Sequence, residues 1–536
     1  MGLMGSLYIG VSGLQTGQNA LNTTAHNMSN IDTTGYTRQQ VQQGTRSYNI
    51  LSKTASANAY QETGLGVNYS RVKQVRDYFL DKTYRQENGR SAFYDTSVSA
   101  IEEVEDLLQE LQGETFSEGI QNLWKAVQEL SKDPSNSVNQ GVFVQRCNEF
   151  ITRGKAVYEG LAEYQDNLNS NLKTEVDTIN EYGKRIVELN QAILRIEAGG
   201  REHANDLRDQ RNQLLDELSG KGNISYYEDV DGNVLVKFEG NDFVKEDSIN
   251  EIALLEDEVT GFYTPYWKNL ADTTKDPIDI SSARVYNMQQ TISTDTNTDI
   301  GSLKSMLFAR GDHRATYEDL KDADHYEKNI SQSILMNVQA ELDQLVNKVV
   351  TGINEIFKNA ADKAGSYPDS TYMRDGNGNP YQIFNLVANE TDQNGDPYFT
   401  INNIIINGEI KQSPSLLGFI RPDQKVDQDT ADALKTLFTE AVHTLNPKVH
   451  TKTNLANYYN NLVSQVGNTG SVLKGISENQ QKTVDETYAA RDQVHGVSSD
   501  EELSNMIMFQ NAYNAASRYI NVISEMLDHV ISTLGR

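Results

Sequence analysis

Cysteine is almost absent from this chain of 536 residues, which contains only Cys147. A single thiol excludes an intramolecular disulfide framework and any metal site built from several cysteines. We interpret Cys147 as a small buried side chain on a helix, a common role of a free cysteine.

Basic residues are scarce relative to acidic ones. The sequence has 47 Lys and Arg against 75 Asp and Glu, which gives a formal net charge of −28 and a pI near 4.7. Because binding to phosphate-rich surfaces requires clustered Lys and Arg, the composition argues against a nucleic-acid partner and against an anionic membrane surface.

Long hydrophobic runs are also missing. No stretch of about 18 consecutive apolar residues could span a bilayer. The N-terminal region has no basic segment followed by a continuous apolar run, so we predict no membrane insertion and no cleavable secretory signal. This pattern fits a cytosolic protein, and it fits equally a protein exported by a dedicated machine without signal cleavage.

Motifs for catalysis or cofactor binding are not found. The eight histidines form no His-Glu-x-x-His pair, and the chain has no phosphate-binding loop, dinucleotide fingerprint or nucleophile elbow. Segments 229–233 and 375–379 resemble parts of calcium loops but lack the full spacing with the terminal Glu, so we interpret both as hairpin turns. The segment 310–312, Arg-Gly-Asp, is too short to indicate adhesion. We therefore predict no catalytic, cofactor-binding or metal-binding residues.

The most regular feature of the chain is its C-terminal stretch. Apolar residues there follow one another at alternating steps of three and four, which is the heptad seam of a coiled coil. A helix over residues 503–534 would be about 48 Å long at roughly 1.5 Å per residue, and its narrow apolar stripe requires a partner helix. The predicted seam consists of Met506, Phe509, Tyr513, Ala516, Ile520, Ile523, Leu527, Val530 and Leu534.

The N-terminal segment has a similar heptad, which makes it the expected partner. Fixing about 32 residues of the C-terminal helix costs roughly 1 to 2 kcal/mol each in backbone entropy. Burying the nine seam side chains stabilises the helix by at most roughly 1.5 to 3 kcal/mol each. The helix alone is therefore marginal and is expected to order with a partner helix or with neighbouring subunits. The N-terminal heptad consists of Leu7, Val11, Leu14, Gln18, Leu21, Ala25 and Met28.

Between the termini, helical periodicity alternates with strand-like patterns. We assign residues 1–45 and 496–536 to paired terminal helices. A discontinuous helical body with an extended N-terminal linker covers 46–220, 299–361 and 426–495. A β domain is inserted over 221–298, and a second β-rich insertion covers 362–425. The predicted fold class is mainly α with inserted β domains: an α+β, multidomain protein with a terminal α-helical coiled coil and a long helical bundle body.

The segment 204–218 is predicted to be a charged helix. Its ionic residues lie largely off the face formed by Leu207, Leu214 and Leu218. We interpret them as a solvated face with pairing between residues four apart.

A polar turn follows the N-terminal heptad over residues 27–39. Its Asn, Asp, Thr and Gly residues end the helix, and Gly35 can take a positive φ. The segment also resembles the N-terminal signature of bacterial flagellar rod, hook and hook-associated proteins. Thr34 stands where many members have Pro, and the turn stays feasible because Gly35 remains. The resemblance rests on Asn27, Asn30, Thr33, Gly35, Tyr36 and Arg38.

Three further segments indicate which of these flagellar families the chain resembles. The sequence Gly-Val-Ser-Ser-Asp-Glu-Glu from Gly496, the helix 204–218 and the stretch 454–467 are similar to the flagellar hook-associated protein 1 family, the first proteins of the hook–filament junction. Two alternatives stay open: another axial flagellar protein of the hook, rod or junction, and a cell-wall hydrolase that uses a carboxylate pair.

The family resemblance implies a structural subunit of the bacterial flagellum and not an enzyme. Such a subunit is made in the cytoplasm, secreted through the type III flagellar export apparatus and placed in the extracellular flagellum. It self-assembles into a ring with the hook protein on one side and hook-associated protein 3 on the other. The residues expected to line the inner-tube seam are Leu7, Leu14, Leu21 and Met28 together with the C-terminal seam.

The resemblance also implies a cytoplasmic export chaperone that binds the C-terminal region. A free apolar stripe is an aggregation hazard, which gives a physical reason for such a partner. We expect the chaperone to contact Tyr513, Ile520, Ile523 and Leu527.

Overall fold

The chain folds into two compact units, seen in a computed structural model. The fold is mainly α with small antiparallel sheets, which confirms the predicted fold class. Unit 1 comprises Met1–Arg90, Thr178–Glu251 and Gln480–Arg536, and unit 2 comprises Ser91–Asp177 and Ile252–Asn479. The structure describes residues 3–46, 49–53, 60–109, 115–199, 203–275, 277–364, 372–392 and 395–534.

Helices account for most of the described residues, and three of them, the second, fourth and eleventh, have residues in both units. In chain order the helices are α1 (Leu3–Ser29), α2 (Tyr78–Gln109), α3 (Phe116–Lys132), α4 (Ser137–Glu197), α5 (Asn205–Lys221), α6 (Ser302–Arg310), α7 (Ala323–His325), α8 (Ile334–Ala364), α9 (Gly408–Gln412), α10 (Gln428–Thr439), α11 (Leu455–His495) and α12 (Ser499–Leu534).

The strands form short antiparallel sheets. β1 pairs with β4, β2 with β3, β8 with β9 and β10 with β11, while β5, β6 and β7 form a three-stranded meander. Their bounds are β1 (Gln39–Thr45), β2 (Asn49–Lys53), β3 (Tyr60–Thr63), β4 (Val67–Gln74), β5 (Ile224–Glu228), β6 (Val234–Phe238), β7 (Asn241–Val244), β8 (Ile252–Glu256), β9 (Tyr263–Trp267), β10 (Phe384–Leu386) and β11 (Ile404–Ile406).

In unit 1 the two terminal helices pack against each other, as the heptads predict. α12 begins where Ser498 Oγ accepts a hydrogen bond from the backbone N–H of Glu501. Its first turn carries Asp500, Glu501 and Glu502, which interact favourably with the positive end of the helix dipole. These residues start a helix that continues without Pro or Gly to Leu534.

The contact between α1 and α12 joins small residues to large ones. A Cβ at Gly10 would lie 2.7 Å from Ile520 Cγ1, and one at Gly17 would lie 3.4 Å from Tyr513 Cα. The glycines therefore permit a close approach that larger side chains would block. The buried positions of α1 are Gly10, Ser12, Thr16, Gly17, Ala20, Thr24 and Asn27.

The predicted heptad residues of α1 lie beside this small-residue face. Leu7, Leu14, Leu21 and Met28 are half-buried, whereas the other three predicted heptad residues, Val11, Gln18 and Ala25, are exposed. On α12, Ile523 is buried, Val530 is exposed, and the side chain of Leu534 lies outside the described residues. The other C-terminal seam residues, Met506, Phe509, Tyr513, Ala516, Ile520 and Leu527, are half-buried.

The core of unit 1 next to the β5–β7 meander comes from α4, α5 and the strands. Ile179, Ile186 and Ile193 of α4 are buried, as are Leu215 and Leu218 of α5. From the meander, buried Val236, Phe238 and Phe243 complete this core.

Unit 2 has one large hydrophobic core around α8. Leu342, Leu345, Val349 and Ile353 of this helix are buried with apolar residues of α3, the first part of α4 and α10. The predicted β-rich insertion 362–425 contains two β-rich runs in its sequence, 399–401 and 404–406. The run 404–406 forms β11, whereas 399–401 leads into a 3₁₀ turn instead of forming a strand. Short helical turns at Ile401–Asn403, α9 and Pro414–Leu417 occupy much of this insertion.

The predicted domain boundaries stay predictions. The strand–turn–strand pattern at 224–238 is present as β5 and β6, but the compact units divide between Glu251 and Ile252. The proposed insertion 221–298 is therefore shared between the units, with β5–β7 in unit 1 and β8–β9 in unit 2. The sequence pattern also predicts that a helix ends at Gly113, and this residue lies outside the described residues.

Candidate functional site

Of the four segments that carry the family resemblance, 454–467 belongs to unit 2, and the other three meet within unit 1. They are the polar turn after α1, the start of α5 and the entry to α12. We call the group of side chains that joins them the motif cluster, and it consists of Asn27, Tyr36, Arg38, Gln39, Asp209, His495 and Glu502.

Local hydrogen bonds and a positive φ at Gly35 form the polar turn that carries Tyr36, Arg38 and Gln39. α1 ends at Ser29, and Asn30 Nδ2 donates to the carbonyl of His26 at 3.0 Å. The Tyr36 N–H then donates to the Thr33 carbonyl at 3.1 Å, and Gly35 has φ +79°. A turn with positive φ at its third position accommodates Pro or Thr at the second, which explains why Thr34 is tolerated.

Asn27 is the centre of the cluster and is only 1% exposed. Its Oδ1 accepts from Tyr36 Oη at 2.8 Å and from the Gln39 N–H at 3.0 Å. Its Nδ2 donates to the Gln39 carbonyl at 2.8 Å and to Glu502 Oε2 at 3.1 Å. An amide side chain has two acceptor positions and two N–H donors, so all of them are used.

Arg38 links the turn to the C-terminal helix. Its Nε donates to Glu502 Oε1 at 2.8 Å, and its Nη1 lies 2.8 Å from Glu501 Oε2. Its backbone N–H donates to the carbonyl of His495 at 2.9 Å. Glu502 is 2% exposed, and a buried carboxylate requires charged and hydrogen-bonding partners of this kind.

The start of α5 closes the other side of the cluster. Asp209 accepts from the Thr37 N–H at 3.1 Å and from Gln74 Nε2 at 2.8 Å. Gln39 bridges Asp206 and Asn205 through its side-chain amide, at 3.2 and 3.1 Å. The turn is therefore fixed by two helices that are distant in sequence.

His495, at the end of α11, accepts a hydrogen bond through its ring. The Asp77 N–H donates to Nε2 at 2.9 Å, which requires a neutral imidazole with its proton on Nδ1. Nδ1 lies 3.8 Å from Asp81 Oδ1. Burial lowers the pKa of His495 to about 4, so the ring is neutral near pH 7.

Burial has the opposite effect on the acidic groups of the cluster. It raises the pKa of Asp209 to about 6, although the hydrogen bonds from Thr37 act against this shift. Burial, and after it the carboxylates of Asp206, Asp209 and Glu502, also raise the pKa of Tyr36. The cluster thus holds several ionisable groups away from water, which is a structural arrangement with a marked pH dependence.

The structure brings together only part of the predicted N-terminal motif. Asn27 and Arg38 bond to Glu502 of the α12 entry. Tyr36 donates to Asn27 within the N-terminal segment, and Asn30, Thr33 and Gly35 shape the turn itself.

The charged helix was only partly interpreted correctly. Asp209 and Arg211 are buried, so the prediction of a solvated face is wrong for these two residues. Asp209, His495 and Glu502 were missed as site residues. The available signal was that Glu502 and Asp209 lie inside the segments that carry the family resemblance. Periodicity does not show that such charged residues will find partners 135 positions away, as Asp209 does, or 464 positions away, as Glu502 does.

The motifs set aside in the sequence have structural explanations. Arg310 of the Arg-Gly-Asp segment is buried against the Phe262 ring and donates to the carbonyl of Tyr263, so it is not available for adhesion. In both calcium-loop fragments the first carboxylate, Asp229 or Asp375, accepts backbone N–H groups of its own turn. Both are hairpin or bridge turns.

Two kinds of feature are absent from the residues that the structure describes. No group of three or more His, Cys, Asp and Glu side chains there is arranged to hold a metal ion. Within the same residues, every helix is too short or too polar to cross a bilayer.

Comparisons with known proteins agree with the motif segments. The family described as "Flagellar hook-associated protein FlgK helical domain" matches residues 101–370. The family described as "Flagella basal body rod protein" matches 7–37, and "Flagellar basal body rod FlgEFG protein C-terminal" matches 494–533. The last two matches cover the helices and the turn that form the terminal pair.

Relatives that match over nearly the whole chain include several proteins named flagellar hook-associated protein 1. The flagellar hook-associated protein 1 of Bacillus subtilis is 27% identical over 97% of this chain and 96% of the relative. Those of Salmonella typhimurium and Escherichia coli are 23% and 22% identical, over 97% of this chain and 98% of each relative. The solved hook junction protein FlgK of Burkholderia pseudomallei has the same fold, with a TM-score of 0.55 at 12% identity, covering 78% of this chain and 100% of that one.

These matches confirm the flagellar interpretation of the sequence. The family model covers half of the chain, and the terminal segments of the chain match two families of flagellar rod proteins. The chain therefore belongs to the flagellar hook-associated protein FlgK family, a family of axial structural proteins of the bacterial flagellum.

Proposed function

We propose that this chain is the first subunit of the hook–filament junction and that it assembles through its terminal helices. In this function, copies form a ring with the hook protein on one side and hook-associated protein 3 on the other. The chain reaches this position through the type III flagellar export apparatus. The observation that carries the proposal is the apolar surface that the α1–α12 pair leaves uncovered.

That surface is large for a single copy. Tyr8 of α1 is 66% exposed, and Ile531 of α12 is 68% exposed. On α12, exposed apolar residues recur three or four positions apart, so they share one face of the helix. They are Tyr519, Val522, Met526 and Val530.

Covering this face contributes free energy of the same order as the cost of association. Each large apolar side chain removed from water contributes up to about 1.5 to 3 kcal/mol, while association costs roughly 4 to 15 kcal/mol in lost freedom of motion. The four residues, with Tyr8, Ile507 and Ile531, are of the right order to offset that cost. Because α1 already covers the adjacent face of α12, the free face points to neighbouring copies.

The test is assembly of purified full-length chain, followed by sedimentation velocity and electron microscopy. We expect the double substitution Val522→Glu and Met526→Glu to raise the concentration needed for assembly at least tenfold. Val230→Glu with Val259→Glu is the matched control, since both residues are fully or almost fully exposed in loops. Equal assembly of the two variants would contradict the proposal.

Partner identity needs a separate measurement. We expect the chain to bind the tips of isolated hooks and then to recruit hook-associated protein 3, as followed by labelled protein in electron micrographs. Binding to filament ends or rods in preference to hook tips would favour another axial position.

The export chaperone is expected to act before α1 and α12 pair. Ile523 is 6% exposed, and Tyr513, Ile520 and Leu527 are half-buried against α1. A chaperone that contacts these side chains must therefore bind a chain whose α1 is displaced.

This order of binding can be measured by amide hydrogen exchange with and without the candidate chaperone. We expect protection of residues 500–534 to coincide with faster exchange in residues 3–29. Charge substitutions at Ile520 and Ile523 should abolish the complex. If α1 keeps its protection in a stable complex, the predicted contact is wrong.

A further inference from the structure

A pocket in unit 1 has a local charge opposite to that of the whole chain. It lies between the end of β4, α5 and β5 and has a volume of about 370 Å³. Its basic lining residues are Arg71, Lys73, Arg76, Arg208 and Arg211, and its two carboxylates are Asp81 and Glu228. In a chain with a net charge of −28 this concentration of cations is unusual.

Part of this positive charge is already neutralised inside the chain. Arg208 is paired with Glu197 and Glu228 at 2.8 and 2.7 Å, and Arg76 is paired with Asp81 at 2.9 Å. These pairs hold the walls of the pocket together and leave little attraction for a ligand.

Two of the remaining cations, Arg71 and Lys73, are not neutralised by the described residues. Among the described residues, Arg71 and Lys73 have no carboxylate within ion-pair distance, and Arg71 Nε donates to the neutral amide oxygen of Gln42 at 2.8 Å. Both side chains lie two residues apart on β4, so they leave the strand on the same face. They form an exposed cationic rim.

Arg211 forms a third cation at this pocket. It is 2% exposed, and its Nη1 donates to Asn190 Oδ1 and to the carbonyl of Gly232 at 2.9 and 2.8 Å. Its nearest carboxylate oxygen, Glu228 Oε2, is 3.6 Å from Nη2. Its Nε finds no acceptor within the described part of the chain, and an unsatisfied buried donor is costly.

We propose that this pocket binds acidic side chains from a second copy of this chain. The inference rests on the proposed function, because assembly is what places a second, strongly acidic copy beside the pocket at high local concentration. The volume suits one or two side chains. The paired rim cations, and the guanidinium of Arg71 in particular, match the geometry of carboxylate groups.

The test compares two double variants with the same change in charge. Arg71→Glu with Lys73→Glu reverses the rim, whereas Lys435→Glu with Lys482→Glu alters two exposed lysines outside the pocket. Both chains are first compared with the wild type by circular dichroism and thermal unfolding. A milder pair, Arg71→Gln with Lys73→Gln, keeps the test valid if charge reversal prevents folding.

We expect the rim variant to need at least a fivefold higher concentration for assembly than the wild type, and the control variant to assemble within twofold of it. Equal assembly of both variants would overturn the inference and leave the proposed function intact. Failure of the wild type to assemble would overturn the proposed function itself.

Titration of the monomer with citrate gives an independent reading. Citrate binding that is lost in the rim variant, together with impaired assembly, supports a pocket for carboxylates of a neighbouring copy. Citrate binding that is lost while assembly stays normal would assign the pocket to a free anion and overturn the inference.

Discussion

Asn27 shows how one side chain can join three segments of a long chain. Its carbonyl oxygen and its amide nitrogen each make two hydrogen bonds, to Tyr36, to the backbone of Gln39 and to Glu502. A carboxylate at this position would face Glu502 with like charge, and an alkyl group would remove one hydrogen-bond partner from each of four polar atoms. The position therefore requires the donor and the acceptor that only an amide of this length provides.

Replacing Asn27 with Ala is expected to lower the free energy of unfolding of unit 1 by about 2 to 4 kcal/mol, because buried polar groups lose their partners. Urea unfolding monitored by hydrogen exchange in residues 3–45 measures the change. The matched variant is Asn30→Ala, which removes only bonds within the local turn and should cost less than about 1 kcal/mol. Equal losses would mean that the cluster contributes nothing beyond the turn.

His495 is expected to make unit 1 less stable in acid. The unfolded ring has a pKa of about 6.5, and burial lowers the pKa of the folded ring to about 4. Between these two pKa values the unfolded state binds more protons than the folded state. The stabilisation that comes from the buried neutral ring is therefore complete above pH 6.5 and is lost as the pH falls towards 4. The resulting change in the free energy of unfolding is about 3 kcal/mol, because each pKa unit corresponds to about 1.4 kcal/mol.

Other groups near the ring also titrate, so the histidine must be isolated by substitution. Asp81, Arg76, Arg491 and Asp77 surround it. Asp209, with its pKa raised to about 6, acts in the opposite direction, since its folded form binds a proton first as the pH falls. We expect the free energy of urea unfolding to decline less between pH 6.5 and 4 in His495→Gln than in the wild type, because the histidine's contribution is absent. An unchanged pH profile would contradict this.

At the scale of elements, the α1–α12 pair depends on a difference in side-chain size. α1 contributes glycines and other small residues, and α12 contributes Tyr513, Ala516 and Ile520. The close approach places the α12 backbone within contact distance of α1, so the pairing tolerates little added volume.

Gly17→Leu is expected to separate the two helices, because even a Cβ at this position lies 3.4 Å from the Tyr513 backbone. Amide exchange over residues 505–530 should accelerate at least tenfold. Gly5→Leu is the control, since no atom lies within 4 Å of a Cβ there, and the loss of a helical glycine should slightly stabilise α1. Similar exchange in both variants would show that the contact is not needed for the order of α12.

At the scale of the whole molecule, each compact unit has its own core. Leu342 of α8 belongs to the large core of unit 2, and Ile186 of α4 is buried in unit 1. This division makes the stability of each unit separately measurable, although three helices contribute residues to both.

Leu342→Ala is expected to cost unit 2 about 2 to 5 kcal/mol, as large-to-small core substitutions do. Ile186→Ala should place a similar loss in unit 1. Hydrogen exchange mapped along the chain distinguishes the two, with the larger loss of protection inside the substituted unit. Uniform loss along the chain in both variants would mean that the units unfold as one.

Periodicity identified the elements that depend mainly on local order. The heptads predicted the terminal helices, and the strand–turn–strand pattern at 224–238 predicted β5 and β6. The helical seam of α12 is visible because a helix places residues three and four apart on one face. The N-terminal seam was less informative, since small residues such as Gly10 and Gly17 carry no hydrophobic signal even when they form the closest contact.

The sequence by itself determined the helical class, the two terminal helices, the turn at Gly35 and, through its motif segments, the flagellar family. These depend on residue spacing and on the φ that glycine permits. Only the tertiary structure decided that Asn27, Asp209, His495 and Glu502 meet, that the charges of α5 are partly buried, and that cations collect beside β4. Burial and pairing of polar groups depend on residues up to 475 positions apart, and no local pattern of charge or hydrophobicity specifies such a partner.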